Sequence, residues 1–400
     1  MSEELTRPFE ALPESCDVLV VGAGIMGLAT AHHLARLGAG RIVVVDQSYL
    51  CSGASGRNGG GVRAQWASEI NIGLMKRSLA LCADFATEMG INVWFRKDGY
   101  LFLARNEKRR AELEGSVALQ RSHGLPTRMI GPAEVAAIVP ELDVGRVVAA
   151  SYNPDDAVVF PWPFVWGYAR SCQRQGVEIF PFVEAELETE NGRVAGALLR
   201  SRRTANAGAE HRIRAGLTIL ATGAWSPEVA RPLGLELPNH PHRHEICSTE
   251  PLKPFLGPLV ADLESGLYFS QSMRGEIVGG ISNNRVPDGL DQRSSLRFLG
   301  LYARELTRTM PILGSVRVLR QWAGCYDLTP DGSPIVGRVD GLGDLVLLCG
   351  FMGHGFMMAP IMGLLTARHL MKGEEQELFD RWSLSRFERG ELLAESMILG

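Results

Sequence analysis

Lysine is scarce in this chain. It occurs only at positions 76, 97, 108, 253 and 372, the other basic residues are arginine, and the stretch 254–371 has none. Paired cysteine motifs are missing as well. The cysteines stand at 16, 51, 82, 172, 247, 325 and 349, an odd number with no C-x-x-C spacing. That argues against a disulfide framework, a structural zinc site and a cluster held by grouped cysteines, and fits a reducing compartment. An unbroken apolar run is lacking too. The longest apolar stretch, 345–365, is interrupted by Gly350, Gly353, His354, Gly355 and Pro360. It reads as a buried strand, turn and helix rather than a membrane span. The first fifteen residues carry no apolar core of a signal peptide. Net charge is only −4, which gives no basis for nucleic-acid binding or for a basic membrane patch. A cytoplasmic location is expected, with peripheral membrane association left open. No internal repeat or low-complexity tract is found. What remains is ordinary globular composition, 46% hydrophobic and 22% charged over 400 residues, enough for two or three domains.

The chain is organised around residues 17–46, DVLVVGAGIMGLATAHHLARLGAGRIVVVD. Residues 17–21 read as a buried parallel strand. Gly22, Gly24 and Gly27 form G-x-G-x-x-G. The first allows a tight turn, the second a close backbone approach to a pyrophosphate, and the third close helix–strand packing. Ile25, Leu28, Ala31 and Leu34 repeat at helical spacing, and the helix N-terminus offers N–H groups to an anion. A second apolar strand, 42–45, ends in Asp46, placed to meet a ribose hydroxyl. Strand, glycines, helix, strand and acid together indicate a dinucleotide-binding βαβ unit, for FAD or for a nicotinamide cofactor.

A glycine-rich loop, 52–66, follows and carries Arg57 and Arg63. Helices are predicted over 68–89, from 107, over 161–175, over 292–309 and up to 371. Strands are predicted around Gly99, over 147–152, over 177–201 with a hairpin at Asn191-Gly192, over 214–220, through 240–282 and over 345–348. The order describes one nucleotide-binding domain interrupted by a mixed-sheet domain.

Three stretches give the chain a resemblance to the D-amino-acid oxidase superfamily of FAD-dependent amine oxidoreductases. They are the βαβ unit with its loop Gly53-Ala54-Ser55-Gly56-Arg57-Asn58 and Val62-Arg63, the segment WAGCYDLTPDGSPIVG at 322–337, and CGFMGHGFMMAP at 349–360. Within the superfamily the chain is most similar to the branch of sarcosine oxidase β-subunits and dye-linked L-proline dehydrogenase β-subunits. The resemblance implies an α/β fold, with a glutathione-reductase-type, Rossmann-like FAD-binding domain and an inserted mixed-sheet α+β substrate domain. The implied FAD-binding domain is discontinuous, 15–86, 146–228 and 321–385. The implied substrate domain is 87–145 and 229–320, and 386–400 is a C-terminal tail.

The cofactor implied is non-covalent FAD. Its implied contacts are Gly22, Gly24, Ile25, Met26, Gly27, Asp46 and Gln47 at the adenosine end, then Ser55, Gly56, Arg57, Asn58, Gly60, Val183, Thr222, Gly223 and Trp225. Gly353, His354, Gly355, Phe356 and Met357 are implied at the flavin. Departures from the family pattern narrow the expectation. The position of a covalent flavin cysteine is Gly324, with Cys325 one residue late, and no histidine for a covalent FMN lies between Tyr152 and Cys172. Met357 replaces the lysine that follows G-H-G-F in monomeric oxidases, and the lysine tied to oxygen activation has no counterpart in 254–371. This favours a non-oxygen electron acceptor.

The implied reaction is oxidation of the C–N bond of a secondary or N-alkylated amino acid, of proline, sarcosine or opine type, to an imine. Arg63 is the candidate carboxylate clamp, because a guanidinium holds a carboxylate bidentately. His354, flanked by glycines, is a candidate to lie against flavin or meet the substrate amine, with a structural histidine as the other reading. Tyr326 is a candidate substrate contact, with core packing as the other reading. His240, His242 and His244 alternate along one strand face, and no metal site is expected from them. The partners expected are a small amino acid substrate and a heteromeric partner subunit or electron acceptor. Three alternatives stay open: a glycine or D-amino-acid oxidase using oxygen, a non-catalytic flavin-binding subunit, and a nicotinamide dehydrogenase.

Overall fold

The structure is a computed structural model that describes residues 5–283, 285–393, 395 and 397. Its first sheet is centred on strand Ser15–Val21, which lies parallel between Ile42–Asp46 and Glu210–Leu220. Both faces of this strand are covered, so the sequence shows a continuous apolar run rather than alternation. Leu342–Cys349 and Ile335–Val339 extend the sheet on one side and Glu178–Pro181 on the other. A hairpin, Val183–Glu190 and Arg193–Ser201, attaches to the outer part of Glu210–Leu220. Its turn falls at Asn191 (φ 52°) and Gly192 (φ 76°), the two positive φ values that a tight hairpin demands.

Helices cover the first sheet. Ile25–Arg36 packs against Gly355–Lys372. The close approach is made by Gly363, whose added Cβ would stand 2.7 Å from the Cβ of Ala29. Helix Glu69–Met89 is capped by Ser68, whose hydroxyl accepts from the Asn71 amide, and packs against Gly355–Lys372 from another side.

The second sheet has eight strands in the order Val318–Leu328, His240–Pro251, Glu276–Ile281, Leu267–Gln271, Leu259–Asp262, Tyr100–Ala104, Ala149–Asn153 and Arg128–Ile130. Helix Leu296–Thr309 covers one face with Phe298, Tyr302 and Leu306, a four-residue spacing. It starts later than the sequence predicts, because Ser295 caps it and is itself held by Glu245.

Sheet membership moves two expected boundaries. Strand Ala149–Asn153 pairs with Tyr100–Ala104, so it belongs to the inserted sheet although it lies in the range 146–228. Strand Val318–Leu328 pairs along its length with His240–Pro251, so the inserted sheet runs past residue 320. Both pairings are set by partners distant in sequence, which local periodicity does not encode. In the range 386–400, Arg386 is buried on Asp331, and Glu395 and Met397 are buried; residues 394, 396 and 398–400 lie outside the described set.

Candidate active site between the two sheets

A cavity of about 880 Å³ runs from the first glycine turn to the inserted sheet, within the size range of small-molecule sites. At its first end, Gly22 has φ +110° and its added Cβ would stand 2.4 Å from the Ala221 carbonyl oxygen. The three glycines differ in what excludes a side chain. At Gly27 a Cβ would lie 2.0 Å from the Gly22 carbonyl oxygen, whereas at Gly24 it would meet only the Ser55 hydroxyl at 3.3 Å. Gly22 and Gly27 are therefore required by the chain itself. Gly24 is left bare on the cavity side, as a backbone that admits a pyrophosphate must be. Ser55 accepts from the Ile25 amide at 3.0 Å. The Asp46 carboxylate accepts from the Ala23 and Ser48 amides at 2.8 and 2.9 Å. Burial pushes its pKa up to about 6, against those two hydrogen bonds.

Most of the predicted cofactor contacts line this one cavity: Ile25, Met26, Gln47, Val183, Thr222, Gly223, Trp225, Phe356 and Met357 join those above. Gly27 and Gly56 do not. Gly27 sits behind the turn, and a Cβ on Gly56 would run into Trp162 at 2.8 Å and the Cys51 carbonyl oxygen at 2.6 Å. Their part is packing. Arg57 and Asn58 line the middle of the cavity but are also tied into the protein. Arg57 donates to the carbonyls of Ser52 and Ala323 at 2.9 and 3.0 Å, and Trp322 donates back to the Arg57 carbonyl at 2.8 Å. The Asn58 amide donates to Ser55 O and accepts from Gly60 N. These bonds fix the glycine loop against strand Val318–Leu328.

Cys325 lines the cavity, but its thiol is engaged by the protein. Its thiol points at the carbonyls of Gly289 and Asp291, 3.7 and 4.0 Å off, and burial pushes it up to about 11. The neighbouring Gly324 packs on Arg57 and Ala54 instead. Among the described residues no set of three or more His, Cys, Asp or Glu could hold a metal.

The structure brings Arg63, His354 and Tyr326 to the far end of the cavity. Arg63 is 1% exposed. Its guanidinium carbon lies 4.1 Å over the Trp66 ring and 5.4 Å from that of Phe102. Nη1 donates to the Gln65 carbonyl. Nη2 donates to the Met397 carbonyl and lies 3.2 Å from His354 Nε2. Among the described residues Arg63 forms no ion pair, and burial lowers its pKa from the usual guanidinium value. Tyr100, Glu395 and Asp156 offset part of that burial through their charges, though neither carboxylate forms an ion pair with it, and an incoming anion would relieve the cost that remains. Both fork-like edges of a guanidinium include Nη2, and both Nη2 hydrogens are committed. A bidentate grip on a carboxylate would therefore have to displace the Met397 carbonyl or His354 from Nη2.

His354 is 5% exposed and caps helix Gly355–Lys372. Its ring meets Trp66 edge-on at 4.7 Å. Burial, and then the Arg63 charge, hold its pKa well below the ordinary histidine value. A ring that accepts from Arg63 through Nε2 is neutral with that lone pair spent. Tyr326 stacks on His244 with centroids 4.5 Å apart. Gly353 presses on the Tyr326 ring so closely that a Cβ there would be 2.4 Å from Cζ.

Sequence reasoning missed several lining residues. Tyr268 receives or donates a hydrogen bond with His244 Nε2 at 2.9 Å and stacks on that ring. His244 is pushed down to about 3 by burial, with His242 adding to the shift. The alternation of histidines 240, 242 and 244 was visible; the depth of only the third was not. Tyr100 also lines the cavity, and behind it lies buried Asp156. That carboxylate accepts from the Ala64 amide, the Gln65 amide group and Asn153, and burial raises it to about 7. No local pattern marks either residue.

An elongated cavity, a bare glycine turn at a helix N-terminus, an acid beside it and an aromatic far end fit FAD. The residues that would hold it are Gly22, Gly24, Asp46 and the loop around Asn58 at one end, and the turn Gly353–Phe356 at the other. The FAD dependent oxidoreductase family profile matches residues 17–369. Sarcosine oxidase subunit beta of Rhodobacter capsulatus is 30% identical over 96% of this chain and 91% of its own length. The crystal structure of L-proline dehydrogenase from P. horikoshii superposes with a TM-score of 0.88 at 33% identity, covering 95% of this chain and all of that one. Glycine oxidase from Geobacillus kaustophilus has a TM-score of 0.82 at 23% identity, covering 94% of this chain and 99% of its own, a likeness of fold.

Proposed function

This chain belongs to the FAD dependent oxidoreductase family, and we propose that within it the protein oxidises the C–N bond of a secondary or N-alkylated amino acid to an imine. One observation carries the amino acid carboxylate in this reading: the buried Arg63 guanidinium, with no ion pair among the described residues, lines the cofactor cavity. A small amino acid carboxylate supplies the missing charge. The relatives named for sarcosine and L-proline act on amino acids whose nitrogen is already alkylated, which agrees with a pocket walled by Tyr100, Tyr268 and Tyr326.

Bound FAD supplies the two-electron acceptor for the hydride that leaves the substrate carbon. The chain supplies placement. Arg63 holds the carboxylate by charge. His354 holds Nη2 of Arg63 and, being neutral with its Nε2 lone pair engaged, does not take the amine proton. The substrate therefore reacts as the free amine, its proton lost to solvent. Tyr326, fixed between His244 and Gly353, walls the pocket beside the helix turn. The imine product is hydrolysed in water.

Electrons are proposed to leave to an acceptor other than oxygen. Met357, buried in the cavity wall, takes the motif position of the lysine that follows G-H-G-F in monomeric oxidases, and residues 254–371 contain no lysine. The relative's designation as subunit beta supports a partner subunit as part of the electron path. No helix among the described residues is long and apolar enough to cross a membrane. The test is to supply each candidate amino acid to the flavin-loaded protein without air. Loss of yellow colour with an N-alkylated or cyclic amino acid supports the reading; none with the whole panel overturns it.

A further inference from the structure

The C-terminal segment reaches back into the site. Met397 accepts from Nη2 of Arg63 through its carbonyl. Its side chain is buried among Tyr100, Phe102 and Val158, and its sulfur lies 3.6 Å from the Gln120 amide nitrogen, which also donates to the Trp66 carbonyl. Two residues earlier, Glu395 is buried and collects four donors. One oxygen accepts from the Ala67 and Met397 amides at 3.0 and 2.9 Å. The other accepts from the Ser68 hydroxyl and the Asn71 side-chain amide at 2.9 and 3.0 Å. These groups lie at the start of helix Glu69–Met89, where a carboxylate is favoured by the unpaired N–H groups.

We propose that Glu395 is a positioning residue for substrate binding: it pins the C-terminal segment to that helix, and the Met397 carbonyl thereby fixes which N–H groups of Arg63 face the cavity. The inference rests on the reading of Arg63 as the carboxylate anchor. Without the latch, Nη2 loses one acceptor and the guanidinium is free to turn about its side-chain torsions. Those torsions are then ordered at the moment of binding, which lowers affinity. Both residues are themselves buried: Met397 is 3% exposed and Glu395 8%.

Acetate serves as the probe, titrated into the FAD-loaded protein and followed by the change in flavin absorbance, so that no turnover is needed. Glu395→Ala is expected to weaken acetate about tenfold, a coupling usual for residues in one hydrogen-bonded network. In an Arg63→Ala background the same substitution should change acetate affinity less than about twofold, because Glu395 acts through Arg63. Glu395→Gln should restore binding, since it keeps the oxygen that accepts from Ala67 and Met397. Its new amide hydrogens can meet Ser68 and the Asn71 carbonyl oxygen, which has no partner among the described residues. If Glu395→Ala yields no folded flavoprotein, Asn71→Ala removes one donor of the latch, and a smaller loss in the same direction is expected.

Equal loss in both backgrounds, no loss, or tighter binding on removing the carboxylate overturns the latch. Tighter binding would mean that the segment competes with the carboxylate. If Arg63→Ala itself leaves acetate binding unchanged, the reading of the anchor fails and takes the latch with it. An effect of Arg63→Ala with none from Glu395→Ala removes only the latch.

Discussion

Nη2 of Arg63 lies 3.2 Å from Nε2 of His354, across 291 positions of sequence. This contact joins the loop after the first βαβ unit to the cap of the C-terminal helix. On the proposed reading the ring accepts from the guanidinium and stays neutral, in line with the burial that lowers its pKa. The acidic limb of kcat/KM against pH should therefore be the same in the unsubstituted protein and in His354→Gln, which keeps an acceptor in reach of Arg63. A limb that disappears in the variant would show that the ring titrates during turnover.

The glycines of the first turn should separate stability from cofactor binding. Gly27→Ala places a methyl 2.0 Å from the Gly22 carbonyl oxygen and should cost about 1–3 kcal/mol or more of stability, as overpacking does. Gly24→Ala meets only a hydroxyl at 3.3 Å. It should leave the thermal midpoint of the flavin-free protein nearly unchanged while reducing the flavin retained on purification. Thermal unfolding and flavin content, measured on both variants, check the contrast.

Acid stability should report on histidines buried neutral. Burial lowers His32 to about 4 and His33 to about 3, and it lowers His244 to about 3. The unfolded chain takes up these protons below its ordinary histidine pKa while the folded chain does not, so stability falls as pH drops from about 6.5 towards 4. Asp46, Asp156 and Asp327 act in the opposite sense over the overlapping window from about 4 to 6 or 7, because burial raises each. His354, also lowered by burial and by the Arg63 charge, adds to the loss, and the carboxylates offset part of it. His33→Gln should make the slope less steeply destabilising towards acid by about 1.4 kcal/mol per pH unit, one proton's worth. Denaturant unfolding at several pH values measures this; an unchanged slope would place His33 in an ionisable setting.

The acceptor is tested by reoxidation. After reduction by substrate, an artificial dye should restore the yellow colour faster than air does, since no lysine is available in 254–371 to assist oxygen. Air reoxidation matching the dye would assign the protein to the oxidases.

The βαβ unit and the helix turn were legible because each is local. Residues 17–46 carry strand, turn, helix and acid in one run, and the turn at 353–355 carries its glycines beside its histidine. That Arg63, His354 and Tyr326 line one cavity was expected from the family pattern rather than from periodicity. What stayed hidden is non-local. Tyr268 and His244 face the cavity only because Leu267–Gln271 and His240–Pro251 lie in one sheet, with Glu276–Ile281 between them. Asp156 reaches Gln65 across 91 positions, and Glu395 reaches Asn71 across 324. The engagement of Arg63 Nη2 by a carbonyl depends on a residue 334 positions away.

Anaerobic mixing of the FAD-loaded protein with L-proline and with N-methylglycine tests the central claim most directly. The account predicts that at least one of them bleaches the flavin absorbance, and that Arg63→Ala raises the concentration needed by an amount equivalent to about 2–5 kcal/mol, the usual cost of removing one partner of a desolvated charge pair. A flavin that stays oxidised with both, and with every other N-alkylated or cyclic amino acid supplied, would contradict it.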